Sequence, residues 1–295
     1  MNKKTKTNTK RNQQKKTVKK VTAKKNPINW KLIKKIILSV LVLGLTALAV
    51  WNSWINAKPV LNVISIQDRY LPAAFDGYRI AHISDFHSAE RMTDEVICLL
   101  ENAKPDIICI TGDLIDSRDK SPNVALRFVE KAMKIAPCYF VAGNHEMKVS
   151  ASLRDALFAG MADRGVILLE KEILVRGDSE IALFGNLLGD AKADEIMPNF
   201  DGYKILLSHY PEDMDYFLTA KYDLVLAGHA HGGQFRLPFV GGLYAPGQGI
   251  FPKYDAGLYS EGKTDMVVSR GIGNSTIPLR FHNRPEVVLV ELHCN

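Results

Sequence analysis

Two kinds of apolar pattern divide this chain. From Ile36 to Ile55 it is almost continuously apolar, interrupted only by Ser39, Gly44, Thr46, Asn52 and Ser53, with Trp30, Trp51 and Trp54 near the two ends. About twenty uncharged residues match the hydrocarbon thickness of a bilayer and tryptophans suit its interfaces, so the stretch predicts a transmembrane helix. A secretory signal cut after Ala47-Leu48-Ala49 is the competing reading, but the polar segment expected before such a cut is missing and the apolar stretch runs on.

From Lys58 the apolar positions come in short runs instead. Val60 to Ile66 reads as an edge strand, followed by a turn at Leu71-Pro72 and a strand from Tyr78 to Ile83. Helical spacing over Arg91–Ala103, Asn123–Lys134 and Ser152–Arg164 alternates with strand-like runs at Asp106–Thr111 and Pro137–Ala142. The second half is richer in strands, at Ile181–Gly185, Tyr203–Ser208, Leu224–Ala227, Met266–Ser269 and Glu286–Leu292. Such alternation predicts an α/β domain with at least one mixed, buried sheet. Gly232 to Gly262, with Pro238, Pro246 and Pro252, reads as a long loop or hairpin.

Charge sharpens the division. Residues 1–35 carry fourteen Lys or Arg and no Asp or Glu, which leaves residues 36–295 at a net −8 although the whole chain is +6. The basic segment has almost nothing apolar to bury and is expected to be disordered. All the basic flank lies on one side of the apolar run, so the positive-inside rule puts residues 1–35 in the cytoplasm, the helix at 36–55 and a domain of residues 58–295 on the other face of a cell membrane. The tail has no aromatic interleaving to read bases, so no specific nucleic-acid partner is expected, and the acidic domain would repel a polyanion. Cys98, Cys109 and Cys138 sit in apolar contexts and read as small buried hydrophobes, Cys294 is penultimate, and no C-x-x-C occurs.

The chemistry gathers where the apolar runs stop. Ile83 is followed by Ser84-Asp85-Phe86-His87, Thr111 by Gly112-Asp113, Ala142 by Gly143-Asn144-His145-Glu146, Leu207 by Ser208-His209, and Ala227 by Gly228-His229-Ala230-His231. Each single motif has an ordinary reading as a turn or a satisfied polar group. Five strand ends in succession, each with a metal-competent side chain, point to one shared site beyond the carboxyl ends of the strands.

That order of blocks resembles the signature of calcineurin-like metallophosphoesterases, and the match runs from Tyr78 to about Gln234. The continuation Gly232 to Pro238 and the block Ser269 to Ser275 are similar to the membrane-anchored or exported bacterial phosphodiesterases of that family. The resemblance implies a four-layer α/β/β/α sandwich and a site for two divalent metal ions, with Asp85, His87 and His231 on one ion, Asn144, His209 and His229 on the other, and Asp113 bridging. Oxygen and imidazole donors without thiolate suit Mn, Fe, Zn or Co. It further implies attack on phosphorus by a metal-bridging hydroxide, with His145 as the catalytic residue that protonates the leaving alkoxide or stabilises the phosphoryl oxygens. Glu146 is expected to be structural, Asp116 to orient a ligand histidine, and Arg270 to be either a phosphate contact or an ordinary surface arginine. Asn186 and Asp190 fall where relatives often place acidic residues near the site.

Together these readings give a membrane-anchored phosphodiesterase or diphosphatase acting on small-molecule, lipid or lipid-linked substrates, with membrane lipid as a partner. Tyr244, Phe251, Tyr254, Leu258 and Tyr259 form either an apolar lip for acyl chains or the long loop's own small core. A non-catalytic metal-binding scaffold and a cyclic-nucleotide phosphodiesterase are the rival readings.

Overall fold

The computed structural model describes residues 29–185, 199–274 and 279–295; the basic tail before Asn29, Asn186, Asp190 and Ser275 lie outside them. The chain divides into two units, residues 1–47 and 48–295. Helix α1 spans Trp30–Asn56, longer than the apolar stretch at both ends. Lys31, Lys34 and Lys35 are good helix formers, and Asn29 Oδ1 caps the start by accepting from the Leu32 N–H at 3.1 Å. At about 1.5 Å per residue it is long enough to cross a bilayer, and every residue from Ile36 to Trp51 is exposed.

The last turns of α1, which lie in the larger unit, depart from this pattern. Asn52 is buried, donates to the Arg280 carbonyl at 2.7 Å and accepts from the His282 N–H at 3.1 Å. Asn56 donates to the same carbonyl, and the Trp51 ring stacks on His282. Asn52, an interruption when read along the apolar run, is a deliberate polar contact in three dimensions.

Beyond α1 the strands are β1 (Val60–Gln67), β2 (Tyr78–Ile83), β3 (Ile107–Thr111), β4 (Cys138–Val141), β5 (Ile167–Leu168), β6 (Lys171–Arg176), β7 (Ser179–Gly185), β8 (Lys204–Leu207), β9 (Leu224–Ala227), β10 (Arg236–Leu237), β11 (Gly241–Gly242), β12 (Tyr244–Ala245), β13 (Gly249–Ile250), β14 (Gly257–Glu261), β15 (Thr264–Val268) and β16 (Glu286–His293). The helices are α2 (Thr93–Ala103), α3 (Asn123–Ala132), α4 (Asn144–Lys148), α5 (Ala151–Ala162) and α6 (Met214–Ala220). Among the described residues two six-stranded sheets form, in the orders β1-β16-β2-β3-β4-β5 and β14-β15-β9-β8-β7-β6.

Three apolar layers hold the stack together. Val96, Leu100, Phe128, Val129, Leu157 and Met161 of the helices bury against Ile108, Ile110 and Phe140 of the first sheet. Ile80, Cys109, Val141, Ile205, Leu207 and Leu226 fill the space between the sheets, and Met214, Phe217 and Tyr222 cover the outer side of the second. The architecture is the four-layer α/β/β/α sandwich. Strands buried on both faces are mostly apolar runs and were expected from the sequence; β6, at the edge of the second sheet, flanks Ile173-Leu174-Val175 with Lys171, Glu172 and Arg176, and β14 lies in the glycine-rich stretch read as loop. Cys109 and Cys138 are buried, but Cys98 is exposed. In α2 the inward positions are Val96, Leu100 and Ala103, and Cys98 falls on the opposite side.

β2, β3 and β4 run parallel in the first sheet, as do β8 and β9 in the second. Their carboxyl ends meet across the sheet interface, where the His209 Nδ1 lies 2.7 Å from the Thr111 carbonyl at the end of β3.

Candidate metal centre

All seven expected ligands converge there. Asp85, completely buried in the loop after β2, accepts through Oδ2 from the Ser84 hydroxyl and from the His229 N–H at 3.0 Å. Its Oδ1 has no hydrogen-bond partner and lies 3.4 Å from His231 Nε2 and 3.9 Å from His87 Nε2. The two imidazoles face each other through Nε2 at 3.3 Å, and Asp113 Oδ2 is 3.6 Å from His87 Nε2. Asp85, His87, Asp113 and His231 thus present four donor atoms to one point.

On the other side of Asp113, its Oδ2 is 3.4 Å from His209 Nε2. That nitrogen lies 3.2 Å from Asn144 Oδ1 and 3.1 Å from His229 Nδ1. The Thr111 carbonyl can only accept, so His209 donates through Nδ1 and turns Nε2 inward. Asp113 stands between the two groups, its Oδ1 held by the His145 N–H at 2.8 Å.

The backbone is bent to make this possible. Asp85, His87, Asp113, His229 and His231 all have positive φ, between 45° and 63°, a left-handed conformation that costs a non-glycine residue about 1 kcal/mol or more. Gly112 and Gly143 allow the two loops to touch; a Cβ on Gly143 would collide with Asp113 Oδ1 and reach 2.8 Å from the His209 ring.

Electrostatics favour a cation. Burial by itself would raise the Asp85 and Asp113 carboxyls; neighbouring imidazoles, His231 and His209 first among them, hold both below the ordinary range. Burial pushes His87 down to about 3 and His229 and His231 to about 4, leaving their rings neutral and able to bind metal. Burial also disfavours charge on His209, but the Asp113 carboxylate outweighs it and raises His209 to about 10. Two buried carboxylates, an unpartnered carboxylate oxygen and imidazole nitrogens facing one another at contact distance fit a divalent metal ion.

His145 completes the rim. The Ser117 N–H donates to its Nδ1 at 2.9 Å, so the neutral ring carries its proton on Nε2, 3.9 Å from Asp113 Oδ2. Glu146, completely buried, accepts from the N–H groups of Gly143, Asp113, Leu114 and Ile115 and ties the β3 and β4 loops together. Burial and the Asp113 charge raise its carboxyl to about 7, against the pull of those N–H groups.

Three expectations change. Asp116 lies 3.7 Å from His87 Nδ1 and 3.8 Å from His145 Nδ1, outside direct hydrogen-bond reach, and binds Arg118 instead. Arg270 engages the buried Glu286 through Nε and Nη2, so it brackets the start of β16 rather than reaching for phosphate. Tyr254 is buried and Tyr259 donates to Asp255, forming the loop's own core, while Tyr244, Phe251 and Leu258 are exposed. Sequence reading missed Tyr210, whose ring stands edge-on to His209 and His229 at about 5 Å, and Asn283, which holds the His231 and Gln234 carbonyls. It also missed Arg280, a buried guanidinium held by the Arg270 and Gly273 carbonyls and Asn274 Oδ1. None has a local pattern that marks it.

The profile of the calcineurin-like phosphoesterase family matches residues 78–233. The uncharacterized metallophosphoesterase YkuE of Bacillus subtilis is 29% identical over 247 residues, covering 77% of this chain and 83% of its own length. The phosphodiesterase YaeI of Escherichia coli is 28% identical, covering 73% of this chain and 82% of its own. A transmembrane protein with a metallophosphoesterase domain from Danio rerio is 26% identical over 86% of this chain and 62% of its own.

Proposed function

The chain belongs to the calcineurin-like phosphoesterase family, and from that premise we propose a membrane-anchored, two-metal phosphodiesterase or diphosphatase acting on lipid or lipid-linked substrates. The observation that carries the reading is Asp113, a single buried carboxylate shared between two groups of metal-competent side chains. Asp85, His87 and His231 would hold one divalent ion and Asn144, His209 and His229 the other. When bound, the metals supply Lewis acidity toward phosphoryl oxygens and a nucleophile at neutral pH.

The chain's own contribution is position and proton control. Thr111 and Ser117 fix the tautomers of His209 and His145, so that His209 turns a lone pair to the metal and His145 turns an N–H to the substrate. That N–H donates to the phosphoryl or leaving oxygen as charge develops there. Glu146 keeps the loops carrying Asp113 and Asn144 in register.

Diester specificity is supported by the name of the Escherichia coli relative. Membrane anchoring is supported by the length and exposed apolar surface of α1 and by the name of the Danio rerio relative; it puts the site within reach of lipid.

The test is hydrolysis of bis-p-nitrophenyl phosphate and p-nitrophenyl phosphate by the full chain, stripped and reloaded with Mn, Fe, Zn or Co. Metal-dependent diester cleavage is expected, abolished in Asp113→Ala and reduced roughly 10²–10⁴-fold in His145→Ala. Metal binding without turnover of any ester would favour a scaffold.

A further inference from the structure

A ladder of short backbone pairings leads from the end of α1 past the metal centre, and its outer side is apolar and exposed. Asn52 and Asn56 bind the Arg280 carbonyl. The next residue, Phe281, bridges to Phe235 and accepts from the Arg236 N–H at 2.9 Å. Arg236–Leu237 pairs with Gly241–Gly242. Leu243 then donates to the Phe235 carbonyl and accepts from the Phe251 N–H, each at 2.9 Å, which sets the β12–β13 hairpin beside the β10–β11 hairpin.

Six side chains along this ladder stand in solvent: Leu237, Phe239, Val240, Ile250, Phe251 and Leu279. Phe239, at the tip of the first hairpin, is fully exposed with φ +67°, and Ile250 is 71% exposed. The hairpins are held beneath by polar contacts, Arg236 with Asp255 and Gln248 with the backbone of Tyr254, so the outward apolar residues are not needed for the hairpins' own packing. Exposed apolar side chains grouped in this way mark a contact.

The geometry points to that contact being the bilayer surface: the tips of these hairpins enter the interfacial region of the leaflet from which α1 emerges. This inference rests on reading α1 as the anchor. The argument is continuity. Trp51 stacks on His282 and Trp54 is 71% exposed, which is the placement of tryptophans at a membrane–water boundary. Phe239 is three residues from Arg236, which is bonded to Phe281, so its backbone lies within roughly 15 Å of the segment that Asn52 holds. A hairpin tip this near the membrane-proximal end of α1 can reach the leaflet, and interfacial apolar side chains bury about 5–10 Å into the headgroup–acyl boundary. The same ladder adjoins the metal centre, because Asn283 binds the His231 and Gln234 carbonyls. The hairpins therefore set the height of the centre above the lipid, and the substrate class that fits is a phosphodiester or diphosphate whose acyl or isoprenoid portion stays in the leaflet.

The test uses the full chain in phosphatidylcholine–phosphatidylglycerol vesicles, with Cys98→Ser and Cys294→Ser removing the accessible thiols. An environment-sensitive fluorophore is placed at Phe239→Cys, at Ile250→Cys, and as reference at Val175→Cys on the exposed edge strand β6. The expected result is a blue-shifted emission at 239 and 250, quenching by nitroxide-bearing lipid, and at least about fivefold less quenching by aqueous iodide than at 175. Labels at 239 and 250 that behave like the one at 175 would overturn the inference. So would protection from iodide without quenching by lipid nitroxide, the outcome if a second copy of the chain covers this face. None of the three readouts involves turnover, and bis-p-nitrophenyl phosphate hydrolysis by the same preparation separates failure of this surface from failure of the phosphodiesterase reading.

Discussion

Metal loading has to remove a proton from His209. Asp113 raises this histidine from its ordinary 6.5 to about 10, so in the metal-free protein it is cationic at neutral pH, whereas His87, His229 and His231 are already neutral. A metal takes only the neutral ring, so loading releases about one proton per chain and apparent affinity rises with pH until it passes about 10. Calorimetry in buffers of different ionisation enthalpy measures that proton, and Asp113→Asn, which removes the charge holding it, should abolish the release. A second prediction concerns Gly143. In Gly143→Ala the new methyl meets Asp113 and His209, and we expect metal affinity to fall at least tenfold with about 1–3 kcal/mol of stability lost, read by metal titration and thermal unfolding. At this scale the identities of the candidate ligands were legible, because imidazole and carboxylate at strand ends have few other uses in such density. The left-handed backbone at five of the seven was not, since no local pattern forces it; it is imposed by the loops pressing together. Tyr210, Arg280 and Asn283 were hidden for the same reason, as their roles exist only through partners distant in sequence.

At the scale of elements, legibility followed burial. Strands β2, β3, β4, β8 and β9, covered on both faces, read as mostly apolar runs, and those five deliver the site. The half-exposed β6 and β14 and the seven-residue α6 mix polar and apolar positions and escaped notice. The end of α1 shows the converse, a polar residue in an apolar helix whose purpose is tertiary. Asn52→Ala leaves the His282 N–H without its acceptor and the Arg280 carbonyl with one donor fewer. A loss of about 1–3 kcal/mol is expected, seen as a lowered melting temperature of the full chain in detergent. Ser53→Ala, at an exposed neighbouring position, should stay within about 0.5 kcal/mol of the parent.

At the scale of the whole molecule, the charge asymmetry along the chain points to a topology that can be checked directly. Fourteen basic residues precede the apolar run and the remainder is net acidic; by the positive-inside rule we propose that the amino terminus stays in the cytoplasm and the phosphoesterase domain faces outward. Cys98, exposed on α2, reports this without engineering. A membrane-impermeant maleimide should label it in intact cells, and labelling only after permeabilisation would reverse the assignment. The four-layer architecture itself came from the resemblance, because alternation alone gave no more than an α/β domain with a mixed sheet. What alternation could not show is that the strands divide between two sheets.

That division has a further consequence. The first ligand group takes Asp85 and His87 from one sheet and His231 from the other, and the second takes Asn144 from one and His209 and His229 from the other. Each ion would therefore be a rivet through the seam as well as a catalyst. Chelation would then loosen the join between the two halves of the molecule, and in a cell the lifetime of the protein against proteases would become a gauge of metal supply.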